Sequence, residues 1–499
     1  MVDISRDHIF SRGPLAVSYV KAVCSVRNQI RKFSYVSVLR QMSAYLQQDV
    51  AVETMDKVTR MPWVVERMAV WVLRDYPGMY KNAPMQTVDL RKCMDLAWKV
   101  MDKAVTWTKP GNPVDLLMRS LLLAQAPHQM PQGTGAFARQ IDLLGRIAPE
   151  SKLYKSITDA LCMAPLAYLQ IAVFFWGSQE QGMQNVFTPV YMQSLKKAFG
   201  DKTVECFLKT IVFPRKLVAS QLGSVSEDEW FQPTPLYRTP YVEYGNQRFN
   251  WGRPNIQRHL EFAFSDIVSR EQDTVRQTFE NAFEQYVGDS LRRAGLQVLN
   301  EDEIKKRFKL DGLCNDYAII DGDVVALFEA KNKALTHTLP ASASAMTYQS
   351  KFKATVVKAA AQIDNVAKKV KADGAFSHAS IHRVVVTYGD LMLGSAKYLF
   401  ENVAEKDVPL VLSIDQVDRL VEAVRLGQCK IGEFFEDYYQ RQATPHTHLF
   451  SPGQLLEEQP YVLSHQPKHL EDIFNPFFDS IIKLVGDETT GYFPGADKL

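Results

Sequence analysis

Hydrophobic positions in the first 225 residues recur at the spacing of helices that bury one face. Long segments of this kind lie at 63–78, 87–107 and 114–127, and Pro or Gly marks several of their ends. Strand-type alternation is scarce, and no fixed-period repeat is present. The pattern predicts an all-helical unit over residues 1–225. No catalytic constellation stands out in it, so we expect it to serve targeting or the binding of a protein partner.

One strongly apolar stretch, LCMAPLAYLQIAVFFW at 161–176, raises the question of a membrane span. A bilayer span needs roughly 20 apolar residues. This stretch is shorter and contains Pro165 and Gln170, so we expect a buried core helix and no membrane association. The first 20 residues carry charges where a signal peptide would be apolar, so no export is expected.

The pattern changes at about residue 225. Residues 226–257 are rich in Pro, Gly, Tyr and Asn, and PYVEYGNQRFNW places two β-prone runs around Gly245-Asn246. This arrangement predicts a β-hairpin. We interpret 226–257 as a junction between the helical half and the residues that follow.

From 258 to 440, helical and strand patterns alternate. The predicted order is α-β-β-β-α-β-α-β-α, a mixed α/β unit with a small central sheet. The fold class is therefore multidomain, an all-helical half followed by an α/β half. The main elements expected are helices at 272–294 and 347–372, a hairpin at 315–333, and strands at 296–300, 382–389 and 409–414, with a helix near 395 and another after 414. The tail, 441–499, is predicted to be an extension that packs on the rest.

The hairpin NDYAIIDGDVVALFEAKNK at 315–333 carries charge at the end of an apolar strand. Taking Asp321-Gly322 as a two-residue turn puts Asp316 opposite Leu327. Side chains alternate along a strand, so Asp316, Glu329 and Lys331 then share one face. Asp316 and Glu329 become diagonal neighbours, with Cα atoms roughly 7–8 Å apart. A three-residue loop would separate them, so the prediction depends on the register.

Two carboxylates at that separation can hold one hard divalent cation, Mg²⁺ or Mn²⁺, between them. Such a cation lowers the pKa of a bound water and stabilises charge developing on a phosphate. Lys331, one step further along the same face, would position the nucleophilic water or neutralise the phosphate. Together these residues indicate phosphodiester hydrolysis.

Asp316 followed by Glu329-Ala330-Lys331 at a strand end resembles the PD-(D/E)xK phosphodiesterase superfamily, the fold of many restriction-type endonucleases. The resemblance covers roughly residues 258–440 and implies a restriction-endonuclease-like domain. It implies metal ligation by Asp316, Glu329 and the Ala330 carbonyl, with Lys331 as catalytic lysine. Asn315 stands where the family's proline would be.

Two flanking residues extend this resemblance. The family often places a glutamate on its first helix to assist the metal, and Glu284 in FEQYV matches better than Glu280, four residues earlier. A solvated helix face is the alternative for this pair. The family also carries a polar residue on the helix after the motif, and Gln362 is that candidate.

Lysines are concentrated after the motif. From Lys331 to Lys371 the chain has eight lysines and one acidic residue, in a protein whose net charge is only +2. This local excess suits a phosphate backbone, although an ordinary solvated lysine face is the alternative. The predicted nucleic-acid contacts are Lys333, Lys351, Lys358 and Lys369.

Composition limits the remaining options. The six cysteines are scattered without a CxxC pair, which favours a reducing compartment and a cytoplasmic protein. His446-x-His448 lies in a Pro/Thr-rich segment without a carboxylate or cysteine at ligand spacing, so we expect a surface loop there and not a metal site.

The sequence therefore predicts a Mg²⁺-dependent nuclease, with DNA favoured over RNA as substrate. Analogy of fold suggests a role in prokaryotic defence against foreign DNA. Many nucleases of this fold cut both strands as dimers, so a homodimer is one option. The main alternative is an inactive nucleic-acid-binding or assembly protein built on a nuclease fold. A third interpretation is a helical interaction protein in which the motif is coincidental, with Asp316 and Glu329 on opposite faces.

Overall fold

The computed structural model describes residues 14–48, 60–104, 114–129, 133–181, 183, 186–334, 345–400, 403, 407–444 and 446–486. Within them the chain is predominantly helical and carries two small mixed sheets. A helical N-terminal half and an α/β C-terminal part agree with the fold class predicted from the sequence. The restriction-endonuclease-like assignment of the second part stays a prediction.

Eleven helices precede the second part of the chain within the described residues. They are α1 (Pro14–Ile30), α2 (Tyr35–Leu46), α3 (Pro62–Arg74), α4 (Thr87–Trp98), α5 (Val114–Gln129), α6 (Gly135–Gly145), α7 (Lys152–Leu161), α8 (Pro165–Glu180), α9 (Pro189–Phe199), α10 (Asp201–Ile211) and α11 (Arg215–Gln221).

Two helix ends differ from the predictions. The helix expected over 87–107 ends at Trp98 and is followed by a 3₁₀ turn, Met101–Lys103, while 105–107 lie outside the described residues. Helix α5 continues two residues past Pro127. A proline in the last turn removes one backbone hydrogen bond but does not prevent the helix from finishing that turn.

Helix α8 confirms the prediction of a buried core helix for the apolar stretch at 161–176. Pro165 begins it, and Phe174 and Phe175 are fully buried in it. In the described part of the chain no single helix has the length and apolarity of a membrane span. Helices α7 and α8 reach both criteria only as a pair bent by 48°.

The smaller sheet contains β1 (Val212–Pro214), β2 (Tyr241–Tyr244) and β3 (Gln247–Asn250) in that order. Strands β2 and β3 form the predicted hairpin, in which Tyr244 pairs with Gln247 across Gly245-Asn246. Gly245 has a φ of +62°, the left-handed conformation that favours glycine in such turns.

The second sheet has five strands in the order β4 (Gln297–Asn300), β5 (Tyr317–Asp321), β6 (Val324–Lys331), β7 (Ser380–Thr387) and β8 (Leu410–Ser413). Strands β4, β5 and β6 pair antiparallel, whereas β6, β7 and β8 pair parallel. The carboxyl ends of β6, β7 and β8 therefore meet at one edge of the sheet.

Helices α12 (Arg253–Val268), α13 (Asp273–Arg292), α14 (Glu301–Phe308), α15 (Ala345–Phe352), α16 (Lys358–Ala372), α17 (Ile414–Arg425), α18 (Ile431–Ala443), α19 (Pro452–Leu455) and α20 (Lys468–Val485) surround this sheet. The long helix expected over 347–372 is divided into α15 and α16 by a π-helical turn, Lys353–Val357. The helix expected near 395 is only a 3₁₀ turn, Lys397–Leu399. Helix α14 was missed because its basic residues hide a short apolar face, Ile304 and Phe308.

The sheet separates two hydrophobic cores. On one face Phe328 of β6 packs in a core with Phe283 of α13, and on the other Leu327 packs in a core with Ile363 of α16. The first core also contains Phe175 of α8, so packing is continuous across residue 225. A third core joins the N-terminal helices α1 to α4 to the smaller sheet.

The division into 1–225, 226–257, 258–440 and 441–499 remains a prediction about folding units. Helix α20 of the tail places Leu470 and Phe474 in the core that holds β6. His446 and His448 are exposed in a turn, as expected for a surface loop.

Candidate functional site

The β5–β6 hairpin has the two-residue turn on which the site prediction depends, but the turn is one residue later than predicted. Asp321 pairs with Val324, so the turn is Gly322-Asp323 and not Asp321-Gly322. Gly322 has a φ of +57°, and type II′ turns place glycine at this first central position. Because the turn lies one residue later, each residue of β5 faces a residue of β6 that is two positions further along the chain than predicted. A shift by two residues keeps every side chain on the predicted face of the sheet.

Asp316 and Glu329 consequently lie opposite each other, not diagonally. The last ladder pair is Tyr317 with Phe328, and the next pair outward is Asp316 with Glu329. Asp316 Oδ2 accepts a hydrogen bond of 2.7 Å from the Ala330 N–H. Asp316 and Glu329 thus lie on the same face of the sheet, the α16 side. The third interpretation, in contrast, has them on opposite faces.

Lys331 completes the trio on this face. Its Nζ lies 2.5 Å from Glu329 Oε1. Glu329 is 1% exposed, and its second oxygen, Oε2, is buried without a hydrogen-bond partner. An unsatisfied buried carboxylate oxygen is costly, so this atom is positioned for a cation or a donor from outside the chain.

Burial and mutual repulsion disfavour charge on both carboxylates. Burial raises the pKa of Glu329, and the neighbouring Asp316 charge raises it further, while Lys331 opposes the shift. Burial also raises the pKa of Asp316, against the Ala330 N–H that lowers it. Paired carboxylates that share a site in this way are stabilised when a cation neutralises them.

Glu284 of α13 belongs to the same electrostatic group. Burial raises its pKa to about 7, with further increases from Asp316 and Glu301, and Lys331 lowers it. Glu284 is only partly buried, so its carboxylate remains accessible. The helix residue suggested by the resemblance therefore lies within range of the hairpin carboxylates rather than on an isolated solvated face.

Gln362 of α16 is adjacent to the start of the hairpin. Its Nε2 donates to the Cys314 carbonyl at 3.4 Å, and its Oε1 is buried without a partner. The apolar stripe predicted for this helix is buried beneath it, including Ile363 and Val366. The amide thus contacts the chain two residues before Asp316.

Glu301 is a fourth acidic residue that sequence reasoning missed. Asn300 of β4 pairs with Tyr317, so the next positions outward are Glu301 and Asp316. Glu301 raises the pKa of Glu284 and of Asp316, and it pairs with Lys305 at 2.6 Å. An acidic residue directly after a strand that pairs with the hairpin was the available signal.

The lysines predicted to contact nucleic acid differ in their burial. Lys333 is partly buried at the exit of β6, where burial lowers its pKa and Lys351 and Arg276 lower it further. Lys351 and Arg276 therefore lie near Lys333. Lys358 and Lys369 are exposed on α16. Contact of any of them with nucleic acid remains a prediction.

Within the described residues, no group of three or more His, Cys, Asp and Glu side chains is arranged as a metal site. A cation at this site would therefore have two carboxylate ligands, those of Asp316 and Glu329. Mg²⁺ commonly binds through one or two carboxylates and keeps several water ligands. Comparison of the chain with family models, curated proteins and solved structures finds no match.

Proposed function

We propose that the protein is a Mg²⁺-dependent nuclease that hydrolyses phosphodiester bonds, with DNA favoured over RNA. The observation that carries the proposal is the opposed pair Asp316 and Glu329 at a strand end, with Lys331 on the same face. Glu284 and Gln362 come to this point from two further helices. Hydrolysis of a phosphate ester needs cationic and polar groups collected in this way.

The residues fit Mg²⁺ or Mn²⁺. The unpartnered Oε2 of Glu329 and the raised pKa values of Glu329 and Asp316 are what a carboxylate pair shows when it lacks a counter-cation. The Ala330 N–H points to Asp316, and a strand residue directs its N–H and C=O to the same side. Asp316, Glu329 and the Ala330 carbonyl would therefore hold the ion. A bound Mg²⁺ would activate a water and stabilise charge on the phosphate.

The chain's own side chains then have distinct roles. Lys331, paired with Glu329 at 2.5 Å, can transfer its hydrogen bond to the attacking water or to a phosphate oxygen. Glu284, with a pKa of about 7, can accept a proton near neutral pH. The Gln362 amide can orient the scissile phosphate, and Lys333 can neutralise a neighbouring one.

The helical half and its partners belong to the same proposal. The N-terminal helices would recognise a protein partner or a target, and a homodimer would allow both strands to be cut. Defence against foreign DNA in a prokaryotic cytoplasm is the context suggested by this combination.

The test is cleavage of plasmid and linear DNA, with single-stranded RNA as a second substrate, in Mg²⁺ and in EDTA. Wild type is expected to cut DNA only with Mg²⁺, and Lys331→Ala and Asp316→Asn are expected to lower the rate at least 100-fold. Matched controls are Lys155→Ala and Asp159→Asn, since both residues are exposed on α7.

Three outcomes decide the proposal. Loss of cutting in the two site variants but not in the controls supports it. Equal cutting by all variants overturns it. Salt-sensitive DNA binding by wild type without cleavage under any divalent ion identifies an inactive nucleic-acid-binding protein instead.

A further inference from the structure

A cavity of about 590 Å³ lies beyond the carboxyl ends of β7 and β8. Its wall includes Tyr388 to Asp390, which directly follow β7, and Ser413 to Asp415 at the end of β8. Helix α6 contributes its first turn, Gly135 and Ala136. The volume is within the roughly 300–1,000 Å³ of small-molecule sites, and open α/β sheets bind ligands at this edge.

The cavity is separate from the carboxylate site but adjoins it. None of the residues Glu284, Asp316, Glu329 and Lys331 lines it. The chain leaving β6 passes its rim, because the Gly389 N–H donates to the Lys333 carbonyl at 3.0 Å. The segment that follows Lys331 therefore connects the carboxylate site to the rim of the cavity.

The cavity wall is strongly polar and yet balanced in charge. Each arginine that lines it is paired with a carboxylate that also lines it: Arg139 with Asp415 at 2.6 Å, Arg419 with Glu457 at 2.7 Å, and Arg258 with Glu261. Such a wall offers donors and acceptors together without a net positive field. It favours a neutral hydrogen-bonding ligand over a phosphate or another free anion.

The remaining charged groups of the wall agree with this. Asp390 accepts hydrogen bonds from the Met392 N–H at 2.7 Å and from Gln416 Nε2 at 3.0 Å, and burial raises its pKa. His465 lies 3.8 Å from a carboxylate oxygen of Glu422. Neither group adds an unbalanced cation to the wall.

A contribution to stability does not account for the buried arginine–carboxylate pairs of the wall. Arg139 and Arg258 are each only 6% exposed. Moving such charges out of water offsets most of what their pairing contributes, so buried ion pairs are weak evidence of stabilisation. Polar groups with perturbed pKa values that converge on a cavity are instead a feature of ligand sites.

Two aromatic residues of the cavity wall indicate the shape of the ligand. The rings of Phe262 and Tyr388 lie 6.2 Å apart, edge to face at 71°, and both residues line the cavity. Flat aromatic surfaces suit a planar ring, and paired charges suit its donors and acceptors.

We propose that this cavity binds a nucleobase. The base belongs either to a free nucleoside or to an unstacked nucleotide of a nucleic acid held at the neighbouring carboxylates, and only the second source rests on the proposed nuclease function. Unstacked bases are recognised in this manner, by polar groups around their edges and aromatic side chains beside their faces.

The first experiment measures binding of the four 2′-deoxynucleosides, and of inorganic phosphate, to the full chain by calorimetry and saturation-transfer NMR. At least one nucleoside is expected to bind saturably, and phosphate is not expected to compete with it. Ala136→Leu should weaken nucleoside binding at least tenfold, because the larger side chain enters the cavity.

Two further variants make the result interpretable. Ala160→Leu is the same change at an exposed position of α7 and should bind like wild type. Gly135→Ala places its Cβ 3.4 Å from Leu470 Cδ1 and 3.6 Å from Arg139 Nη2, which are ordinary contacts, so it should fold and weaken binding less than Ala136→Leu. Circular dichroism verifies the fold of each variant.

The second experiment places a single 2-aminopurine in single- and double-stranded oligonucleotides. A rise in its fluorescence on binding wild type, lost in Ala136→Leu, identifies a base of the bound strand as the ligand. No rise, together with nucleoside binding, identifies a free nucleoside.

Either source supports the nucleobase proposal. It is overturned if no nucleoside binds and the 2-aminopurine fluorescence does not rise, if both cavity variants behave as wild type does, or if phosphate displaces the nucleoside. Nucleoside binding does not require cleavage, so the nuclease proposal can fail while this one stands.

Discussion

Replacing Glu329 with glutamine tests the electrostatics of the carboxylate pair directly. Glu329 is 1% exposed, and its pKa is raised from 4.5 to about 7. A rise of this size corresponds to roughly 3 kcal/mol of lost stability once the side chain is charged. Glutamine keeps the size and an acceptor for Lys331 but removes the charge.

The pH dependence has a definite sign. A carboxyl whose pKa is higher in the folded state stabilises the fold at pH values below its unfolded pKa, and this contribution is lost as pH rises through 7. Wild-type β6 should therefore be less stable at pH 8 than at pH 5. The raised pKa already includes the ion pair with Lys331, so Glu329→Gln should be roughly 3 kcal/mol more stable than wild type at pH 8. Near pH 5 the two proteins should be similar.

Hydrogen–deuterium exchange of residues 315–333 measures this locally, in EDTA and with correction for the intrinsic pH dependence of exchange. Roughly 3 kcal/mol corresponds to more than about 100-fold greater protection of β6 in the variant at pH 8. Added Mg²⁺ should raise protection in wild type but not in Glu329→Gln. Glu205→Gln, exposed on α10, is the control. Equal pH slopes in the variant and wild type would refute the reasoning.

Three further changes address neighbouring parts of the structure. Because the pKa of Glu284 is about 7, the rate of DNA cleavage should rise as pH increases through that value. Glu284→Gln should remove this rise from the pH–rate profile. An unchanged profile in the variant would contradict the role of Glu284 as a proton acceptor. Gly288→Ala should lower stability by about 1–3 kcal/mol in thermal denaturation, since a Cβ there would lie 2.3 Å from the Tyr317 ring; a wild-type melting temperature would show that the ring moves freely. Asp418→Ala should cost about 3–5 kcal/mol because it removes one of the two carboxylates that neutralise buried Arg139, and Asp418→Asn should cost less. Equal losses for the two variants would show that the loss of hydrogen bonds or of charge, and not of the side chain's volume, sets the cost.

Local patterns were sufficient for much of the fold. The apolar run of α8 and the Gly245-Asn246 hairpin follow from run length and turn residues, which act over a few positions. Helix α14 did not follow, because only two of its eight residues are buried. The turn of the β5–β6 hairpin was misplaced by one residue, since Asp-Gly and Gly-Asp both supply a glycine for a tight turn.

The candidate site likewise combines residues that are close in the sequence with residues that only the fold brings near. Asp316, Glu329 and Lys331 lie within 16 residues of one another, so strand alternation alone places them on one face. Glu301 directly follows strand β4, and its approach to Asp316 depends on the β4–β5 register. The cavity between α6, α12 and α17 unites residues more than 250 positions apart, as in the pair Arg139 and Asp415.

The sequence by itself determined the helical first half, the mixed second half and the shared face of the hairpin carboxylates, because each depends on side-chain periodicity within one or two elements. Tertiary structure decided that α16 brings Gln362 to that face and that α13 brings Glu284 within electrostatic range of its carboxylates. It also decided how buried each carboxylate is and how its pKa responds. Burial and charge repulsion depend on every element packed around a group, and no short pattern in the chain encodes that packing.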